Sequence, residues 1–148
     1  MKVAIIVARF YEELADRLTA GARSTLAEAG VTDIDEFAVP GAYELPLAAK
    51  YAAESGRYAA VVCLGAVIRG ETTHYDYVCG ESARGIQDVQ LSTGVPCSFG
   101  VLTVNNLDQA LARSGGDKRD SGRHAAEAVL ALLNIKAQLA DPAALRAG

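Results

Sequence analysis

The chain has 148 residues, 51% of them apolar and 22% charged, the balance expected of one globular domain with its own core. Fourteen basic against eighteen acidic side chains leave a net charge of −4. That argues against nucleic-acid binding, which needs a basic face, but leaves room for a small anion held by one arginine.

Four short apolar runs alternate with helical patterns. The run at 3–8 is nearly all apolar and β-branched, as a strand covered on both faces reads. It is too short for a signal-peptide core or a membrane span. Leu14, Leu18, Ala22 and Leu26 recur every four residues, predicting a helix over about 12–29 that Gly30 stops. A weaker strand at 34–39 precedes a second helix through Leu45 and Ala52 to near Gly56. The run at 58–64 is again continuously apolar. A third helix is predicted from Thr73 to about Leu91, a fourth strand over 97–103, and a short helix over 107–113. The stretch 121–139 is apolar around much of its circumference, so one side is expected on the sheet and another on a second subunit. Asp141-Pro142 reads as the start of one last turn. The order predicts a parallel sheet with helices on both faces, the two weaker strands nearer its edges, and ligands beyond the carboxyl ends of the strands.

Four segments converge on that rim: Arg9-Phe10-Tyr11, residues 39–44, residues 65–74, and the chain from Thr103 onward. After Leu64, Gly65 is expected to open a loop that leads into a helix near Thr72 or Thr73. The amides of Glu71, Thr72 and Thr73 would then suit a phosphate, with His74 in the first turn as a proton donor or acceptor. The alternative is a simple threonine cap beside a surface histidine. Pro40-Gly41 forces a turn and Pro46 suits the first turn of the next helix. Tyr43 and Glu44 are left at the junction, either to meet a flat heterocycle or to pack locally. Phe10 and Phe99 carry the same ambiguity between core and ligand platform. Arg113 closes a helical segment and is placed to fork onto a phosphate; the polar run behind it, to His124, reads as a solvated loop. Three cysteines at 63, 79 and 97 form no Cys-x-x-Cys pair. Reduced thiols in a cytoplasmic protein are expected, with neither disulfide nor metal site. Phosphate-loop, dinucleotide and nucleophile-elbow motifs are missing.

Together these segments closely resemble the lumazine synthase family. The shared stretches are Ala8-Arg9-Phe10, residues 39–46, residues 64–78 with Ile68-Arg69-Gly70-Glu71-Thr72-Thr73-His74 the most specific, Phe99-Gly100-Val101-Leu102-Thr103, and Gln109-Ala110 with Arg113. The resemblance implies a three-layer flavodoxin-like α/β sandwich with a four-stranded parallel sheet, spanning 1–148 as one domain. It implies a cofactor-independent, metal-free transferase that joins 5-amino-6-(D-ribitylamino)uracil to 3,4-dihydroxy-2-butanone 4-phosphate. Phe10 and Ala42-Tyr43-Glu44 would receive the pyrimidine and its ribityl chain, and Ala66, Val67, Ile68 and Phe99 would line the same pocket. Glu71 and Thr72 would hold the phosphate, Arg113 would pair with its charge, and His74 would move protons. The family's sites lie between subunits of a pentamer, so Phe99 and Arg113 would come from a neighbour. Where the family commonly has Asn-Lys-Gly, this chain has Asp120-Ser121-Gly122, and His124 stands where an acidic residue often supports the histidine. The chain starts at its first strand, where many relatives have a preceding segment and form shells, so a pentamer or a pair of pentamers is expected. A non-catalytic lumazine- or flavin-binding or shell protein on the same scaffold is the competing expectation.

Overall fold

A computed structural model describes residues 1–116 and 119–141. Four strands, β1 (Lys2–Ala8), β2 (Asp33–Val39), β3 (Ala60–Ile68) and β4 (Cys97–Val104), form one sheet in the order β2-β1-β3-β4. Every pairing is parallel. Five α-helices connect or follow them: α1 (Glu12–Glu28), α2 (Leu45–Glu54), α3 (His74–Thr93), α4 (Leu107–Ala112) and α5 (Ser121–Ala140). The two continuously apolar runs are the two central strands and the two weaker ones are the edges. A central strand has helices on both faces and neighbours on both sides, so every position must be apolar.

Alternation along β1 divides the core. Val3, Ile5 and Val7 pack with Leu14 and Leu18 of α1 and Ala125, Ala126 and Val129 of α5. Ala4, Ile6 and Ala8 face Leu45 and Ala49 of α2 and Val78, Ile86 and Val89 of α3. This two-residue period is the ordinary geometry of a strand, and the product is a three-layer flavodoxin-like α/β sandwich.

Two expectations are corrected. Gly65 does not open a loop: β3 continues to Ile68 because Gly65, Ala66, Val67 and Ile68 pair in register with Val101, Leu102, Thr103 and Val104 of β4. Gly65 is instead a point of close approach, since a Cβ there would lie 2.9 Å from the Cβ of Ala8. The polar segment after Arg113 is not wholly solvated. Ser114 is buried and bridges Asp120, whose carboxylate accepts from the Arg123 amide at 3.0 Å and caps α5. The expected last turn at Asp141-Pro142 begins with Asp141, which closes α5; Pro142 lies outside the described residues, as do Asp117 and Lys118.

Along α5, Ala125, Ala126 and Val129 are buried, while Leu132, Ile135 and Leu139 are exposed. Among the described residues no helix is long and apolar enough to cross a membrane.

Candidate functional site

Strand order reverses between β1 and β3, because β1 leads outward to β2 while β3 leads the other way to β4. Connections leaving in opposite directions part the loops above the carboxyl ends of these strands, and a crevice opens there. A cavity of about 670 Å³ occupies that position.

Its walls come from three segments and the start of α3. From the end of β1 come Phe10 and Tyr11, whose rings meet edge to face at 4.9 Å. Phe10 is 73% exposed, so it is not a core residue. Behind it Arg9 donates to Glu12 at 2.8 Å and to Asp16. These carboxylates, Glu12 foremost, hold the guanidinium firmly protonated and neutralise its charge.

The second segment is a 3₁₀ turn over Ala42–Glu44 that precedes α2. Glu44 Oε1 accepts the Gly41 amide at 3.0 Å and the Glu44 amide donates to the Gly41 carbonyl at 3.2 Å. These bonds bury Ala42 and leave Tyr43 60% exposed beside the cavity. Ala66, Val67 and Ile68, the half-buried end of β3, form the third segment.

His74 is the first residue of α3. Its amide donates to Thr72 Oγ1 at 3.3 Å, which leaves the Thr72 O–H able to donate; Thr73, the N-cap residue, makes no side-chain cap hydrogen bond. Residues 69–73 form the loop between β3 and α3. Arg69 fastens it: its amide donates to the Val104 carbonyl at 2.8 Å, its Nε to Asn105 at 3.0 Å, and its guanidinium lies 4.3 Å from the Tyr75 ring centre. Glu71 and Thr72 are exposed on this loop, next in sequence to the helix start rather than in the cavity wall. The main-chain amides next to this helix start contribute to the positive end of the α3 dipole, where anions are favoured.

Thus Phe10, Ala42, Tyr43, Glu44, Ala66, Val67, Ile68 and His74 meet in one cavity, joined by Tyr11 and Gly41, which the sequence placed on the rim without a role in the site, and by Tyr77 and Val78, which it did not single out. Tyr77 and Val78 stand three and four positions after His74, so helical periodicity carried a signal for them. Phe99 and Arg113 lie elsewhere in the chain. Phe99, 39% exposed, lines a second cavity of about 360 Å³ between α3, β4 and α5, with Ser121 and His124. The Ser98 hydroxyl in the same wall is buried without a hydrogen-bond partner among the described residues. Arg113, half-buried, follows α4 and donates to the Gln109 carbonyl at 3.0 Å. Among the described residues no three His, Cys, Asp or Glu side chains gather as a metal-ligand set. Burial pushes the Cys97 thiol up to about 11 and Cys63 still higher, which makes them packing groups rather than nucleophiles.

A doubly wound sheet with an aromatic-rimmed cleft at its switch point defines a small-molecule-binding protein of the flavodoxin-like class. The sequence profile of the 6,7-dimethyl-8-ribityllumazine synthase family matches residues 1–137. The chain belongs to that family, the lumazine synthases, transferases of riboflavin biosynthesis that act on small molecules and typically assemble as oligomers.

Proposed function

We propose that the chain is a 6,7-dimethyl-8-ribityllumazine synthase, a transferase that condenses 5-amino-6-(D-ribitylamino)uracil with 3,4-dihydroxy-2-butanone 4-phosphate and releases phosphate and water. It works without cofactor or metal, in the cytoplasm, as one domain spanning 1–148 within a pentamer or an assembly of pentamers. The observation that carries this reading is the gathering of Phe10, Ala42-Tyr43-Glu44, Ala66-Val67-Ile68 and His74 in one cavity of a chain that matches the family over 1–137.

In this reading the pyrimidine enters against Phe10 and the apolar end of β3, and its ribityl chain runs along Tyr43 and Glu44. The butanone phosphate sits at the loop of Glu71 and Thr72, where main-chain amides and the helix dipole favour its charge. Phe99 and Arg113 of a neighbouring copy close the site, Arg113 forking onto the phosphate. Their position outside this chain's first cavity supports a site shared between copies, as does the Ser98 hydroxyl, without a partner among the described residues, in the groove that holds Phe99.

The nucleophile is the substrate's own amine. It attacks the ketone carbonyl and, with loss of water, gives an imine; phosphate is then eliminated, and the ribitylamino nitrogen attacks the remaining carbonyl and loses a second water as the ring closes. The protein therefore acts chiefly by holding two reactants in register. His74, at the cavity wall, takes and returns the protons of dehydration and elimination.

Mixing purified protein with both substrates tests the proposal, with appearance of the fluorescent lumazine as the expected result. Tight binding of lumazine or flavin without product formation would establish the competing reading of a non-catalytic protein.

A further inference from the structure

We infer that Arg17 is a positioning residue for Arg113. The inference deepens the proposed function and rests on Arg113 as the arginine that meets the butanone phosphate. α4 has six residues, too few to be stable alone, and its last carbonyls lack helical partners. The turn that follows Arg113 passes through Gly115 and Gly116 at φ +114° and +104°, a backbone region that glycine enters freely and that imposes little order by itself.

Order is supplied from across the fold. Arg17 lies on α1, half-buried, and spreads three hydrogen bonds over this turn. Its Nε donates to Ser114 Oγ at 2.8 Å, and its terminal nitrogen donates to the Leu111 carbonyl at 3.1 Å and the Gly115 carbonyl at 2.9 Å. The contacted residues bracket Arg113 on both sides. A fixed guanidinium fork can span such a set, whereas an ammonium on a flexible stem cannot hold all three in one geometry. Its charge also suits the partial negative charge of the carbonyls that end α4. On the far side the Ser121 amide donates to the Arg113 carbonyl at 2.9 Å. Arg113 is thus held by its main chain, and its guanidinium keeps the direction that a two-pronged contact with phosphate needs.

Steady-state kinetics of the assembled enzyme test this with Arg17→Ala, Arg17→Lys, Arg113→Ala and the Arg17→Ala/Arg113→Ala double variant. Arg17→Ala is expected to raise the KM for butanone phosphate roughly tenfold, as loss of one charge-assisted hydrogen bond would, with the KM for the pyrimidine unchanged. Arg17→Lys should recover part of the loss. The double variant should be no worse than Arg113→Ala alone, because Arg17 acts through Arg113. An unchanged KM in Arg17→Ala, an equal rise for both substrates, or additive losses would overturn the inference. If Arg113→Ala alone leaves that KM unchanged, the phosphate role of Arg113 falls and the inference falls with it, and this result is read separately. Inorganic phosphate titrated into each variant reads the same contrast without turnover. Should Arg17→Ala not assemble, Ser114→Ala removes one of the three contacts; a smaller selective rise supports the clamp, and no rise in it or in Arg17→Lys refutes it.

Discussion

Gly122→Ala sets two physical effects against each other at the point where α5 crosses α1. Gly122 is buried near the start of α5. A Cβ there would lie 2.1 Å from the Leu18 carbonyl oxygen and 2.9 Å from its carbon. Carbon and oxygen in contact sit near 3.3 Å, so the overlap is about 1 Å, and the opposing atoms are main chain that cannot rotate aside. The helices must part. Leu18, Ala22, Ala126 and Val129 at this crossing are all fully buried, and a gap of 0.5–1 Å forfeits a quarter to a half of each contact's attraction. Overpacking of this kind costs about 1–3 kcal/mol. Alanine's helix preference over glycine returns at most about 1 kcal/mol. We expect a net loss of about 1 kcal/mol, which lowers Tm by about 3 °C in a chain of this size. Calorimetry reads it, at one protein concentration because assembly couples Tm to concentration. A raised Tm, the result helix propensity alone would give, would refute the reasoning. Because Ser121 also holds the Arg113 carbonyl, affinity for the butanone phosphate should fall in the same variant.

Further outcomes are expected. His74→Ala should lower kcat by about 10²-fold, the low end for a lost general acid or base, because the reactants supply the nucleophile and the leaving group themselves; complete loss of activity in an assembled variant would contradict this division of roles. If copies share the site, mixing unfolded Phe10→Ala and Arg113→Ala chains and refolding them together should restore about one quarter of the sites, those that receive both intact halves around a closed ring. Recovery no greater than the two variants refolded apart would place the site within one chain. Cys97 keeps its proton in the fold to about 11, against an ordinary value of 9.0, so unfolded chains lose protons first as pH rises between these values. The contribution of this thiol to stability is therefore full below about pH 9 and declines above it. The urea midpoint should fall through that interval and Cys97→Ala should flatten the fall, whereas a parent midpoint that stays level would show that the thiols carry none of it.

What the sequence disclosed follows the range of the forces involved. Central and edge strands separate by composition because burial on two faces or one is written residue by residue. The α1 stripe of Leu14, Leu18, Ala22 and Leu26 is legible for the same reason. The true end of β3 is not, since residues 66–68 are held by pairing with β4, and no local pattern distinguishes a glycine in a ladder from one that opens a loop. The turn after Pro40-Gly41 is visible as a break, but its 3₁₀ form depends on Glu44 reaching back to Gly41. Tyr77 was hidden, and Tyr11 left without a role, because an aromatic at or beside a rim segment can face core or cleft, and only the packed helices decide which. Arg17 lies 97 residues from the serine it grips, a pairing that only the folded chain brings about.

Ser121 and His124 do not approach the first cavity of their own chain. They sit beside Phe99 in the second groove, so whatever they contribute reaches reactants only if another copy presents its cleft there. The N-cap of α5 fixes where they stand: Asp120 holds the Arg123 amide, and its carboxylate occupies the space above Gly21, where any Cβ would come within 2.3 Å. A serine and an exposed histidine on a helix start so anchored change the charge offered to a neighbour's site without altering the scaffold that offers it. If copies share the site as proposed, their effect on turnover is electrostatic and falls on that seam, and the Phe10, Tyr43 and His74 half of the cleft keeps its geometry whichever residues face it.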